Sequence, residues 1–283
     1  MMSGATTMTT PRPGANGAAE IGPQSWHRGL VARWWSLFRV SGPEVAYFRQ
    51  FVERGQPALD VACGAGRLLV PYVEASLDVD GCDVSADMVA LSAQAVRAVG
   101  GSAQLYCQAI HELDLPRRYR TIFVCGGLGL GSTRDQDLEA LCRLYAHLEP
   151  GGLLVLDNEV PYSDARHWSL WPTGRERELP EPSRAPSHRL LGPDGDEYAL
   201  VTRLLDLDPL HQQQVWQIHA YRWRDQVLID EETHHLTANV YFSGEIVMML
   251  ERAGFGRVEV RGAYNDRPPT ADDPFLVYLA HRE

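Results

Sequence analysis

Two acids and two glycines carry the most pointed chemistry in this chain. Asp60 lies in the apolar run Ala58-Leu59-Asp60-Val61 and stands four residues before Gly64, the first glycine of Gly64-Ala65-Gly66-Arg67. A second acid, Asp83, ends the next apolar run, Val79-Asp80-Gly81-Cys82-Asp83. Glycines in such a turn let backbone come close to a ligand, because a Cβ there would clash. An acid at the end of the second strand can accept hydrogen bonds from two ribose hydroxyls. The pattern predicts an adenosine-containing cofactor. A dinucleotide fingerprint needs a third glycine, and Leu69 stands in its place. Asp60 would repel a pyrophosphate at this turn, whereas a ligand with an ammonium and a sulfonium would be attracted.

The segment from Asp60 to Arg67 resembles the first motif of class I S-adenosylmethionine (SAM)-dependent methyltransferases of the small-molecule type. Asp83-Val84-Ser85-Ala86-Asp87-Met88 is similar to their second motif. Leu148-Glu149-Pro150-Gly151-Gly152 resembles their turn before the fifth strand, and Leu250-Glu251-Arg252-Ala253-Gly254-Phe255 the turn before their last strand pair. The resemblance covers roughly residues 26–281. It implies SAM as cofactor. Asp60, Ala62, Cys63, Gly64 and Gly66 would hold its methionine end, and Asp83 and Val84 its ribose. Met88 would pack on the adenine side. The family often places an acid near the adenine after the third strand. This chain has Cys107-Gln108-Ala109-Ile110-His111, so adenine is expected against Ala109, Ile110 and His111. Cys125 and Gly126 would lie where cofactor and acceptor meet.

Methyl transfer from a sulfonium is an in-line displacement, accelerated mainly by positioning. A base is needed only for an acceptor that arrives protonated. Asp157-Asn158-Glu159 follows the expected fifth strand. An Asp-Asn pair there resembles the metal ligands of catechol-type O-methyltransferases. That site also needs an acid where this chain has Cys125-Gly126-Gly127, and two oxygen ligands are too few for a hard cation, so no metal is expected. The segment then serves as an acceptor contact through Asn158 or as structural hydrogen bonding, with Glu159 a candidate base. His234, His235, Tyr241 and Tyr162 are further candidates for moving a proton. Adjacent strand residues face opposite ways, so at most one of the two histidines should face the crevice. His27, Trp34, Trp35, Trp168 and Trp171 would flank it, and their aromatic load points to an apolar, aromatic or indole-type acceptor such as a natural product. Two rival readings are an NAD(P)-linked oxidoreductase and a non-catalytic methyltransferase-like binding module.

The elements that must position these residues are legible from periodicity. Strands are expected at 58–62, 79–83, 103–107, 121–125 and 153–157. Helices are expected at 43–54 after a Ser41 cap, from about Arg67, at 86–98 after a Ser85 cap, and at 134–148. Alternating strands and helices mean a parallel sheet. Segments 198–206, 214–223 and 227–236 alternate polar and apolar residues and read as antiparallel strands. The chain then returns through a helix at 244–253 capped by Ser243 and strands at 257–261 and 275–280. The expected fold class is α/β, a Rossmann-like seven-stranded mostly parallel sheet. The family resemblance gives it the strand order 3-2-1-4-5-7-6, with an antiparallel β insertion. The expected organisation is a flexible tail at 1–24, a SAM-binding domain at 25–160 plus 243–283, and a lid loop with a substrate-covering insertion at 161–242.

The 283 residues carry a net charge of −11, which lacks the basic footprint of a nucleic-acid binder. Five cysteines without a C-x-x-C pair argue against a disulfide framework or a zinc site and suit a reducing cytoplasm. No apolar run reaches the roughly 20 residues of a membrane span. The expected partner is a small-molecule acceptor, with no nucleic acid and no membrane, the chain acting as a monomer or homodimer.

Overall fold

The computed structural model describes residues 26–38, 41–173 and 177–283; the expected tail at 1–24 lies outside them. A seven-stranded sheet forms the centre. Its parallel strands are β1 (Ala58–Val61), β2 (Val79–Asp83), β3 (Leu105–Cys107), β4 (Tyr119–Val124) and β5 (Leu148–Glu159). A four-stranded antiparallel sheet of β6 (Leu190–Leu191), β7 (Glu197–Asp208), β8 (Gln213–Arg224) and β9 (Val227–Asn239) follows. The chain then returns to the first sheet with β10 (Arg257–Gly262) and β11 (Phe275–His281), antiparallel to β5. The order β3-β2-β1-β4-β5-β11-β10 is the expected 3-2-1-4-5-7-6.

β1 and β2 are buried at every position because both sheet faces are covered. Leu59, Val61, Ile122, Leu154 and Leu156 share one cluster with Leu141 and Leu144 of α5 (Arg134–His147) and Ile246 and Leu250 of α7 (Ser243–Arg252). Their neighbours Ala58, Phe123 and Val155 point the other way. They pack with Phe48, Phe51 and Val52 of α2 (Pro43–Arg54) and Tyr72 of α3 (Leu69–Glu74). One-residue alternation along each strand therefore fills two cores at once. Clamped between them, β1 is a rigid base for the Asp60 turn.

Several expected boundaries shift for identifiable reasons. Ser85 does cap α4 (Ala86–Ala98), accepting from the Met88 amide at 3.2 Å. Ser41 and Ser243 do not cap. Gly42 is the cap of α2, and its amide donates to the Glu44 carboxylate at 3.0 Å. Phe242 precedes α7, and its amide donates to Glu245 at 2.8 Å. In both cases a glutamate of the first turn accepts from the amide of the cap residue, the reciprocal half of a capping box. β5 begins five residues earlier than expected, because Pro150-Gly151-Gly152 bulges out of a strand already paired. Tyr119 pairs with Leu148 and Thr121 already with Leu153.

The N-terminal helix α1 (Gly29–Leu37) bridges the two sheets. The Gly29 amide donates to Asp87 of α4 at 2.7 Å, and the Leu30 amide to Glu232 of β9 at 2.9 Å. Two carboxylates thus satisfy orphan donors at the positive end of the helix dipole. Gly29 has φ +54°, and an added Cβ would meet the Glu232 carboxylate. Gly29→Ala is expected to destabilise the chain by about 1–2 kcal/mol through backbone strain and a displaced Glu232. Thermal melting checks this: an unchanged midpoint would show that Glu232 does not hold the helix.

Candidate functional site

The carboxyl ends of the parallel strands open into a cavity of about 980 Å³, lined by both sheets and by α1. That is the upper end of the usual range for small-molecule sites and leaves room for two ligands. It sits where neighbouring strands leave β1 and β4 in opposite directions, the expected ligand crevice of such a sheet.

At one end lies the glycine turn. Ala62, Gly64 and Gly66 have φ of +57°, +54° and +84°, so the chain doubles back sharply after β1. A non-glycine residue at Ala62 in this region stores strain of the kind that collects at functional sites. A Cβ on Gly64 would point into open space, a cradle that a bound group can fill. The Gly64 amide donates to Asp83 at 2.9 Å, and the Ser85 amide donates to the other oxygen of Asp83 at 2.8 Å. Asp83 thereby locks the turn to the end of β2 while still lining the cavity.

Asp60 is different. It is 2% exposed, lines the cavity, and its Oδ2 has no hydrogen-bond partner among the described residues. Burial raises its pKa well above the usual carboxylate range; the Arg67 guanidinium pulls it back only in part, and the Asp83 charge adds to the rise. A buried, unsatisfied, acceptor-only oxygen is costly unless something cationic meets it.

Of the other residues expected to touch a cofactor, Ala62, Cys63, Val84, Met88, Ala109, Ile110, His111, Cys125 and Gly126 line the cavity. Gly66 does not; its amide closes the turn onto the Cys63 carbonyl at 2.9 Å. Next to Gly126, Asp157 accepts from the Gly126 amide at 2.5 Å, from Tyr264 at 2.6 Å and from the Cys125 thiol at 3.2 Å. Burial raises the Asp157 pKa, and these three donors offset part of the rise. Burial, then the Asp157 charge, pushes the Cys125 thiol up to about 12. Asp157 is thus engaged in holding the end of β4 in place. Among the described residues no group of three or more His, Cys, Asp or Glu side chains is arranged to hold a metal ion.

Comparison with known proteins bears on what this turn belongs to. Residues 58–152 match the family model described as a methyltransferase domain. The segment spans β1 to the Pro-Gly-Gly bulge and contains both the Asp60 turn and Asp83. The match covers about a third of the chain, from the strand before the glycine turn to the bulge before the long part of β5. A curated relative is a dTDP-3-amino-3,6-dideoxy-alpha-D-glucopyranose N,N-dimethyltransferase from Streptomyces fradiae. It is 29% identical over 154 residues, covering 50% of this chain and 58% of its own length. The fold is shared more widely. A S-adenosylmethionine-dependent methyltransferase from Clostridium acetobutylicum superposes with a TM-score of 0.66 at 17% identity, over 84% of this chain and 90% of its own. A sugar N-methyltransferase from Streptoalloteichus superposes with a TM-score of 0.59 at 18% identity, over 98% and 100%.

Beyond the methyltransferase domain, the acceptor-side expectations divide. Asn158, Glu159, His27, Trp35 and Tyr241 line the cavity. The Tyr241 hydroxyl, however, donates to buried Asp137 at 2.5 Å. Burial and the Asp137 charge raise its pKa beyond any use as a base. His27 is lowered to about 4 by burial and stays neutral. His234 and His235 lie outside the cavity lining. His234 accepts from Arg28 and pairs with Glu232 beneath α1, while His235 on the opposite face meets Gln217 at 2.9 Å. Trp34 packs into the cluster of Leu30, Val31 and Tyr198. Tyr162, Trp168 and Trp171 gather around one another and Phe242, with ring centroids 5.6–6.3 Å apart, away from the cavity.

Glu159 remains. Its carboxylate reaches the cavity with no hydrogen-bond or ion-pair partner among the described residues. The residue itself is exposed, yet partial desolvation of its carboxylate and the charges of Asp157 and Asp164 raise its pKa, with His167 offsetting part of the rise. Facing it across the cavity are residues absent from the sequence-level expectations. His167 lies edge-on to Trp216 with centroids 5.1 Å apart, and its Nδ1 is 3.3 Å from Asp164. Arg67 also lines the cavity, its Nη2 donating to the Cys125 thiol at 3.3 Å. It stands inside the glycine motif, so its position was readable; the His167–Trp216 pair joins a loop to a distant strand and leaves no local pattern.

The Asp60 pKa has a consequence for stability. The folded chain holds that proton more tightly than the unfolded one. The stabilisation is therefore present below the unfolded pKa and is lost as pH rises through the folded value. At neutral pH Asp60 costs stability. Asp60→Asn is expected to raise the melting temperature at pH 7 by about 2–4 °C, equivalent to about 1 kcal/mol. The gap should narrow as pH falls towards the ordinary carboxylate range. A variant that melts lower than wild type at pH 7 would show that the charge is already compensated.

Proposed function

We propose that this chain transfers a methyl group from SAM to a small-molecule amine of natural-product type. The observation that carries the reading is the unsatisfied buried carboxylate of Asp60 beneath an open glycine turn. It is a fit for an ammonium near a sulfonium and a misfit for a pyrophosphate, which disfavours a dinucleotide-linked oxidoreductase. Asp83 would accept from ribose hydroxyls, and Met88, Ala109 and Ile110 would flank the base. The S-adenosylmethionine dependence of the Clostridium acetobutylicum methyltransferase supports the same cofactor.

The amine is favoured by the charge of the acceptor end. Glu159, Asp157 and Asp164 gather there around Asn158 and Trp216. The amino-sugar substrate of the Streptomyces fradiae relative points the same way. An aromatic acceptor has less support than the sequence suggested, because Trp34, Trp168 and Trp171 lie outside the cavity.

SAM supplies an electrophilic methyl group on a sulfonium. The residues of this chain do the rest. Asp60 and the turn fix the donor end, and the Gly126 loop, braced by Asp157, sets the wall beside the transferring carbon. Glu159 draws in the protonated amine and takes its proton, so that the nitrogen lone pair forms the new C–N bond as the C–S bond breaks. A carboxylate held above its usual range is closer to the ideal for that transfer. The proton passes to Glu159 and the sulfur leaves as a neutral thioether.

Calorimetric titration with SAM is expected to show micromolar binding that Asp60→Ala abolishes; binding indifferent to Asp60 would remove the proposal. Turnover of an amine panel should rise with pH as Glu159 ionises, above the ordinary glutamate range. Glu159→Gln should lower kcat by about 100-fold or more and flatten that limb. Retention of the limb would assign the proton to another group.

A further inference from the structure

The charges around the cavity are one-sided. Among the described residues six carboxylates line it, those of Asp60, Asp83, Asp137, Asp157, Glu159 and Asp164, against the guanidinium of Arg67. Arg67 is itself paired with Glu44, a buried residue of α2. The lining residues that stay exposed mark the rim of the cavity. Among the described residues the charged ones there are Glu159 and Asp164, both acids. Arginines close in sequence to lining residues are engaged elsewhere. Arg28 donates to His234 at 3.2 Å, Arg134 donates to the Val240 carbonyl at 3.0 Å, and Arg166 pairs with Glu181 at 3.1 Å.

A cleft lined by one sign of charge focuses its field on whatever enters. An ammonium is drawn towards such a rim, and a diphosphate is repelled by it. Guanidinium forks are the usual means of capturing a diphosphate, and the arginines around this rim are bound to other partners. The second sheet contributes neutral groups instead. Thr202 of β7 and Gln214 and Trp216 of β8 line the cavity. Gln214 Oε1 accepts from the Trp216 indole at 3.0 Å, which leaves the two amide donors of Gln214 for a ligand. An aromatic face with neutral donors beside it suits the hydroxyl-bearing ring of a sugar. The Streptomyces fradiae relative takes an amino sugar joined to dTDP, a diphosphate of the kind that this rim repels.

We propose that the acceptor is an amino sugar already in glycosidic linkage and free of phosphate, so that a glycosyl transfer supplies the substrate of this chain. In that transfer the anomeric carbon loses its bond to a diphosphate oxygen and gains one to an oxygen of the aglycone. The diphosphate leaves with the bonding electron pair, and the aglycone hydroxyl gives its proton to the transferring enzyme. The amine is untouched, and the sugar passes from net negative to net positive. The second form is the one that matches the rim. The proposal rests on the reading of the chain as a SAM-dependent amine methyltransferase and adds an order of reactions to it.

Calorimetry on protein loaded with S-adenosylhomocysteine, the demethylated donor, tests it without turnover. The probes are the sugar of the Streptomyces fradiae relative, 3-amino-3,6-dideoxyglucose, as its methyl glycoside and as its dTDP ester. At low salt the glycoside should bind wild type at least about tenfold more tightly than the ester. Added salt should weaken the glycoside and strengthen the ester, because it screens attraction and repulsion alike. The double variant Glu159→Gln/Asp164→Asn should narrow the gap by about fivefold or more. Asparagine can still accept from the Arg166 and His167 amides, which Asp164 caps at the start of α6 (Ala165–Trp168). Retained binding of S-adenosylhomocysteine shows that the variant is folded. An ester that binds wild type as tightly as the glycoside would overturn the proposal, as would binding of neither sugar. So would an unchanged gap in the double variant, since the rim acids would then not select. Failure of wild type to bind S-adenosylhomocysteine would instead remove the SAM reading itself.

Discussion

A carboxylate buried with one oxygen unsatisfied is the constraint around which this molecule is arranged. Asp60 sits on an inner strand of a sheet covered on both faces and is 2% exposed. Such a group persists only if its surroundings are over-determined. Leu59 and Val61 on either side of it are fully buried in one core, and Phe48, Tyr72 and Phe123 fill the other. The turn that follows is held by Asp83 through the Gly64 amide and by the Gly66–Cys63 bond. Arg67 then brings a positive charge back beneath the carboxylate it has just left. The apolar mass of the fold holds a small polar defect open for a ligand.

The second sheet is joined to the first by polar bonds. Asp137, in the first turn of α5, is 2% exposed and accepts from Ser132, Asn239 and Tyr241. Arg134 lies over the Tyr241 ring at 4.6 Å and donates to the Val240 carbonyl at 3.0 Å. The Gly131 amide meets the Thr237 carbonyl at 2.7 Å, which extends the edge of β9 onto the loop after β4. On the opposite side α1 is tied to Asp87 and Glu232. Hydrogen bonds have direction where apolar contacts have little, so this seam fixes the placement of the acceptor wall as well as its presence. That explains why Tyr241, expected to handle protons, is spent on architecture.

What the sequence discloses follows the range of each interaction. The Ser85 cap, the α2 boundaries and the turn at Asp225-Gln226 between β8 and β9 depend on neighbours within four residues, and all are legible. The cofactor end of the cavity is legible too, because Asp60, Gly64 and Asp83 act from the ends of two adjacent strands. The failures are tertiary. Alternation correctly put His234 and His235 on opposite faces, but the inner face was taken by α1, whose Arg28 and Glu232 contacts come from 206 and 2 residues away. Four tryptophans were equally apolar in sequence. Only Trp35 turned to the cavity, while Trp34 found Phe38 and Trp168 and Trp171 found Phe242. Ser41 and Ser243 do not cap, and glutamates of the first turn instead accept from the amides of the cap residues Gly42 and Phe242.

On the proposed reading, the distribution of charge in the cavity also governs what leaves it. Asp60, Asp83, Asp157 and Glu159 give the cavity an acidic wall, in which Arg67 is the one arginine among the described residues. A sulfonium is attracted along that whole wall. Once the methyl group has gone, the sulfur is neutral and that attraction vanishes, while the contacts at the zwitterionic end are unchanged. Discrimination between donor and spent product therefore falls to the acids near the transferring carbon, Asp157 and Glu159. Asp60 and the glycine turn hold both species alike. The end that secures the ligand and the wall that tells its two states apart are separate groups of residues. Uniform binding at one end lowers KM without helping the chemistry, and the charge-selective wall at the other favours release of the spent product over release of the donor.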